Sequence, residues 1–111
     1  MSQLISYEYQ DQRIEFDVSP DSVMINATEM GKIFEKLPKD FLGNDSTKSF
    51  INECLKKENS PYLDVKNVDD LYTSTQKSGT WMHRILALKF AAWLDPSFEL
   101  WVYRTTEPLM I

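Results

Sequence analysis

Lys48, Asn52 and Lys56 recur at four-residue steps, the spacing that lines side chains along one face of an α-helix. Two ammonium groups bracketing an amide fit two kinds of surface. One is a solvated helix face. The other meets an anionic polymer, with the lysines on phosphate and the amide on a base edge. Asn52 is the residue best able to read sequence, because an amide can bond adenine through N6 and N7 together. Ser46 and Thr47 stand at the start of the same segment, where free backbone N–H groups favour phosphate. A second cluster, Thr75-Gln76-Lys77-Ser78, puts four donors on a short polar tip. Gln76 suits a base edge and Lys77 a phosphate. His83 and Arg84 follow at a helix start; His83 reads equally well as a cap, as a partly buried histidine or as a phosphate contact.

Other chemistries find less material. Cys54 falls on an apolar helical face, where burial raises a thiol pKa and leaves it inert. Paired with His83 it would lack a third, orienting group. One histidine and one cysteine do not supply a metal site, and no glycine-rich phosphate loop occurs. No catalysis, metal or cofactor is expected. Trp81, Trp93 and Trp101 could stack on bases, but their neighbours put them at core-facing positions.

These side chains belong to a chain of 111 residues, the size of one domain, with 42% apolar and 13% aromatic residues. That composition buries a core and excludes disorder as the main state. The formal charge of −5 excludes a generic polybasic binder. The charge is unevenly placed, however. Residues 1–30 hold six acids against one base, whereas Tyr72–Arg84 holds Lys77, His83 and Arg84 and no acid. Charges act over roughly 8 Å at physiological salt, so an acidic body can still carry a local anion-facing strip. The single cysteine excludes an internal disulfide. No run approaches the ~18–20 apolar residues of a membrane helix. The start, MSQLISYEYQDQR, is not a secretory signal, and a cytoplasmic location without membrane partners is expected.

The elements that must position these groups are legible in outline. Leu4–Tyr9 and Arg13–Val18 alternate apolar and polar residues around Gln10-Asp11-Gln12, a hairpin pattern. A short strand, Val23–Ile25, follows the turn Ser19–Ser22. Asn26 is placed to cap a helix over Ala27–Lys36, with Glu29 completing a capping box and Pro38 ending the helix. After a bend at Phe41–Asn44, Asp45 or Ser46 is placed to cap a second helix reaching about Lys57, with Phe50, Ile51, Cys54 and Leu55 inward. Two short helices around a tight bend fit a helix-turn-helix. Tyr62–Val65 and Leu71–Thr75 read as strands. With Gly79 at the polar tip, the second forms a hairpin, which after a helix-turn-helix is a wing. A third helix opens at Met82 or His83 and reaches Leu94, with Ile85, Leu88 and Ala92 inward. Asp95-Pro96 starts a fourth carrying Phe98, Trp101 and Val102.

Three blocks carry a resemblance: Ile25-Asn26-Ala27-Thr28-Glu29-Met30; Gly79-Thr80-Trp81-Met82-His83; and LKFAAWL from Leu88 to Leu94, followed by Asp95-Pro96-Ser97-Phe98. In this order and at these separations the chain resembles the KilA-N domain of phages, prophages and large DNA viruses, over about Ser6–Tyr103. That family is similar to the fungal APSES transcription-factor domain. The resemblance implies an α+β fold: a small antiparallel sheet with helices, organised as a winged helix-turn-helix. It also implies a recognition helix near Ser46–Lys57 and a wing near Leu71–Trp81. The function it implies is non-enzymatic binding of double-stranded DNA by a phage- or prophage-type transcription regulator. Ser46, Thr47, Lys48, Asn52, Lys56, Thr75, Gln76, Lys77, Ser78, His83 and Arg84 would be the contacts. Three to five cations on phosphate would give a log K against log salt slope of about −3 to −4.5. Residues 1–111 are expected to form one such domain, the N-terminal part of a longer protein, since the chain ends on apolar Leu109-Met110-Ile111. The rival expectation is an antirepressor-like interaction module, its acidic N-terminal hairpin and apolar C-terminal tail binding a basic protein partner. A homodimer is compatible with either.

Overall fold

The structure, a computed structural model, describes residues 2–110, Met110 by its backbone alone. The end of the apolar tail singled out above, Ile111 with the Met110 side chain, lies outside the described residues.

Alternation builds the first hairpin. β1 (Gln3–Tyr9) and β2 (Gln12–Val18) pair antiparallel with Tyr9 opposite Gln12. The loop is only Gln10-Asp11, and both residues have positive φ (50° and 64°), the signature of a type I′ turn. Ile14 and Phe16 are buried from β2, while their β1 partners Tyr7 and Ile5 are half-buried. β3 (Val23–Asn26) pairs with β2, and β5 (Gly79–His83) pairs with β3 and with β4 (Tyr72–Thr75). The result is one five-stranded antiparallel sheet in the order β1-β2-β3-β5-β4. With seven α-helical segments and one 3₁₀ turn around it among the described residues, the fold is α+β.

Asn26 caps α1 (Ala27–Ile33) by accepting from the Glu29 N–H at 3.1 Å. The expected capping box does not close. Glu29 turns away and accepts from the Glu15 N–H at 2.8 Å, satisfying a β2 donor at the point where β3 has left the sheet to become a helix. The helix is also shorter than its apolar stripe suggests. Lys36 N–H bonds Gly31 O, Glu35 N–H bonds Lys32 O, and Glu35 takes φ 55°: a Schellman ending. Gly31 is required there, because a Cβ would collide with the Lys36 carbonyl. Pro38, expected only to end the helix, opens a new one-turn helix, α2 (Pro38–Leu42), which takes in Phe41 and Leu42 of the expected bend.

α3 runs Asp45–Cys54 from Asn44 at its N-cap position, ending three residues before the expected Lys57. The expected strand Tyr62–Val65 is instead a helical turn, α4 (Ser60–Leu63), with proline in its first turn, and a second turn, α5 (Val68–Leu71), leads into β4. Both are single turns, too short for periodicity to declare them. α6 (Arg84–Leu94) buries Leu86, Ala87, Phe90, Ala91 and Leu94, whereas Ala92 is exposed and Ile85 and Leu88 are half-buried. The expected inward face was wrong by about one residue, because this helix lies between the sheet and α7 and is apolar nearly all round. α7 (Pro96–Thr106) starts as its sequence dictates, with the Asp95 carboxylate accepting from the Phe98 N–H at 3.0 Å. A 3₁₀ turn, Glu107–Met110, follows. The aromatic core joins the elements: Phe41 packs on Phe90 and Trp93, and Tyr9 on Phe98 and Trp101. Among the described residues no helix is long and apolar enough to cross a membrane.

Candidate nucleic-acid interface

Two segments present polar side chains to solvent on fixed supports. The first is α3. Thr47, Ile51 and Cys54 face inward at helical spacing and dock the helix on the body, and Lys89 of α6 lies over the Phe50 ring at 5.0 Å. The opposite side exposes Ser46, Lys48, Asn52 and Glu53. Lys48 and Asn52 share this face with no side-chain partner among the described residues. Lys56 keeps its place in line but lies beyond the helix end, with its ammonium 3.0 Å from Glu53 Oε1. That hydrogen bond, and the charge behind it, raise the Lys56 pKa. Glu53 also accepts from Asn59 Nδ2, so one acid ties together the C-terminal end of the stripe.

Thr47 leaves the surface set. It is 1% exposed, and its hydroxyl has no hydrogen-bond partner among the described residues, so it cannot meet phosphate. The signal was present in the chain: Thr47 precedes Ile51 by four residues and Cys54 by seven, the inward spacing. The helix start is also less welcoming to an anion than expected, since Asp45 occupies its first turn.

The second segment is the β4–β5 hairpin, closed by the loop Gln76-Lys77-Ser78. Its polar residues divide into two jobs. Thr75 Oγ1 accepts from the Ser78 N–H at 3.0 Å and lies 2.6 Å from the Ser78 hydroxyl. Trp81 Nε1 donates to the Ser78 carbonyl at 3.0 Å. Thr75 and Ser78 thus hold the loop, and Gln76 and Lys77 stand free at its tip, both exposed. Gly79 takes φ 80°, and a Cβ on it would come within 2.7 Å of Thr28 Oγ1. That same hydroxyl accepts from the Thr80 N–H at 2.8 Å. Two of the sequence blocks singled out above therefore meet in space: Asn26 pairs with Trp81 in the sheet, and Thr28 seats the hairpin base on α1. No local pattern could have found the Thr28 contact, which spans 52 residues.

His83 and Arg84 do not join this tip. His83 is 3% exposed and caps α6, its Nδ1 accepting from the Ile85 N–H at 3.1 Å. Burial, then the neighbouring Arg84 charge, push the imidazole pKa below its ordinary value, while the Leu63 carbonyl, Asp64 and Asp70 pull the other way. Arg84 lies at the far end of β5, roughly 17 Å along the strand from Gly79 at 3.4 Å per residue. There it lines a polar cleft of about 130 Å³ with Ser19, Asp21 and Ser22. α3 packs against α2, with Lys89 of α6 over its Phe50, whereas the hairpin strands pack against α1, α5 and α6.

Cys54 is buried, and burial followed by the Glu53 charge raises its thiol pKa. It borders an apolar groove of about 250 Å³ between α3 and α4. Among the described residues no group of three or more His, Cys, Asp or Glu side chains is placed to hold a metal ion. Trp93 and Trp101 are half-buried and pack against the core, whereas Trp81, expected to face the core, is half-buried on the hairpin, where its Nε1 donates to the Ser78 carbonyl. Against known families, the model of the KilA-N domain matches residues 7–111. No curated protein matches the chain, and no solved structure does.

Proposed function

Because this chain belongs to the KilA-N domain family, whose members are in general DNA-binding, we propose that it binds double-stranded DNA without catalysis, as a phage- or prophage-type regulator. The observation that carries the reading is the β4–β5 tip. Four groups (Thr75, Ser78, Trp81 and Thr28) are spent on holding it, and the two left over are a cation and an amide. A preorganised loop loses little entropy on contact, which is what a modest set of charges needs.

α3 enters the major groove with Asn52 toward base edges and Lys48 on phosphate; Ser46 adds a backbone contact. The hairpin lies along the adjacent phosphate backbone through Lys77, with Gln76 at its leading edge and Thr75 and Ser78 as supporting donors. This is winged helix-turn-helix use of the fold. With His83 buried and Arg84 elsewhere, the count of phosphate-facing cations drops to two, or three when Lys56 leaves Glu53. The salt slope is then about −2 to −3, shallower than the slope three to five cations would give.

The test is a polarisation titration on random and defined duplexes across a salt series. Affinity that falls with salt at this slope supports the reading. Absence of binding in very low salt, or binding indifferent to salt, overturns it. Lys48→Glu weakens binding on every sequence, whereas Asn52→Ala relaxes preference at one base position by about 1–3 kcal/mol.

A further inference from the structure

The sheet has two edges, and they are finished differently. β4 is four residues long, follows a helical turn and ends in the seated hairpin tip. β1 is seven residues long and pairs, among the described residues, only with β2. It carries neither proline nor lysine, the usual means of blunting an edge, and Glu8 is its one charge.

The hydrogen-bonding side of this edge can be read directly. Glu15 N–H bonds Glu29, so it points away from β1, and Ser6–Glu15 is a non-hydrogen-bonded pair. By alternation Leu4, Ser6 and Glu8 all turn their N–H and C=O outward. The two-residue loop, which makes Tyr9–Gln12 a bonded pair, requires the same phase. On the core face, Ile5, Tyr7 and Tyr9 stay half-buried beside the fully buried Ile14 and Phe16, because nothing continues the sheet past them.

We infer that β1 pairs antiparallel with β1 of a second copy, about a two-fold axis at Ser6, joining two sheets into one of ten strands. The strand is self-complementary in that register. Ser6 faces Ser6, Leu4 faces Glu8, and every outward N–H and C=O of the three residues is matched. Ile5 faces Tyr7, a β-branched–aromatic pair of the favourable kind. Leu4, 62% exposed in the single chain, gains cover. The two Glu8 carboxylates are staggered by four residues, about 13 Å along the strand, instead of opposed. Other registers either leave outward groups unpaired or bring the glutamates together. The remaining acids of the hairpin, Asp11, Asp17 and Glu15, give the dimer a residual repulsion that salt screens. Salt therefore strengthens self-association while it weakens DNA binding, and the inference stands on sheet geometry without that reading.

The experiment measures mass in solution by sedimentation or light scattering from micromolar to millimolar chain, at low and high salt. The expected result is a dimer whose fraction rises with concentration and with salt. Ser6→Pro removes an outward N–H that β2 does not use, so it abolishes the dimer while the far-UV circular dichroism and melting temperature of the monomer stay unchanged. Ser6→Cys cross-links under mild oxidation, since facing Cα atoms lie about 5.5 Å apart, and Glu8→Cys does not. A chain monomeric throughout the range overturns the inference and leaves the edge to a strand of another protein. A dimer that survives Ser6→Pro, or that cross-links equally at position 8, places the interface elsewhere and overturns it too.

Discussion

The two hairpins of this sheet are built from the same element and serve opposite ends. In β1–β2 the turn is made by backbone alone: Gln10 and Asp11 both accept a left-handed conformation with no glycine to ease it. Glu8, Asp11 and Glu15 surround it. In β4–β5 the turn is made by side chains. Thr75, Ser78 and Trp81 bond within it, Gly79 supplies the one left-handed residue, and Thr28 ties the base to α1. The first hairpin needs only to close a sheet. The second must hold a cation and an amide at a defined place, and a loop tied by four side-chain bonds does that better than one closed by backbone alone.

If the contrast is right, the most damaging single change is at the base of the second hairpin. Gly79→Val combines a strained φ with a clash on Thr28 and is expected to cost about 2–3 kcal/mol in chemical denaturation, with loss of duplex binding beyond that explained by unfolding. Next comes the foot of the same strand. His83→Ala removes a cap and a buried ring, about 2 kcal/mol, yet a folded sample keeps its DNA affinity, separating support from contact along one strand.

The same histidine gives a pH test. Its folded pKa lies below the ordinary 6.5. Below that pH the unfolded chain takes up a proton the native state refuses, so stability is complete above about pH 6.5 and falls on acidification. His83→Asn keeps a capping oxygen and flattens that part of the profile; melting curves at pH 7.5 and 5.5 compare the two.

Smaller effects sharpen the contrast in charge. Lys77→Glu is expected to lower duplex affinity about tenfold without moving the melting temperature, while Asp11→Asn in the other hairpin changes affinity far less. Smallest of all, Asp11→Gly relieves a left-handed residue and stabilises by about 0.5 kcal/mol; the equivalent relief is already taken at position 79. Equal responses to charge change at positions 77 and 11 would sink the division of labour.

How much of this was written in the chain follows from which forces are local. Asn26, Asp95-Pro96 and the alternating runs of β1 and β2 act within a few residues, and they fold as they read. α6 did not, because a helix wrapped by sheet and helix has no polar face to set its phase. Pro38 reads as a stop and Tyr62–Val65 as a strand because single-turn helices offer too few residues to show a period, and proline is at home in their first turn. At the candidate site, Lys48 and Asn52 are exposed as their spacing demands. Thr47 misled through its polarity, although its step to Ile51 pointed inward. For His83 the sequence left cap, buried histidine and phosphate contact open; the structure takes the cap and the burial, through Ile85 and through Leu63 of a turn that sequence alone had drawn as strand. Thr28 could be named only once two distant segments were seen to touch.

The tethering of the hairpin base has an evolutionary corollary. Since Gln76 and Lys77 bear none of the bonds that hold their own loop, the two positions are free to vary without a stability debt. A lineage could exchange them for other readers of nucleic acid and leave Thr28, Gly79 and Trp81 untouched, altering what the domain prefers while keeping how it stands.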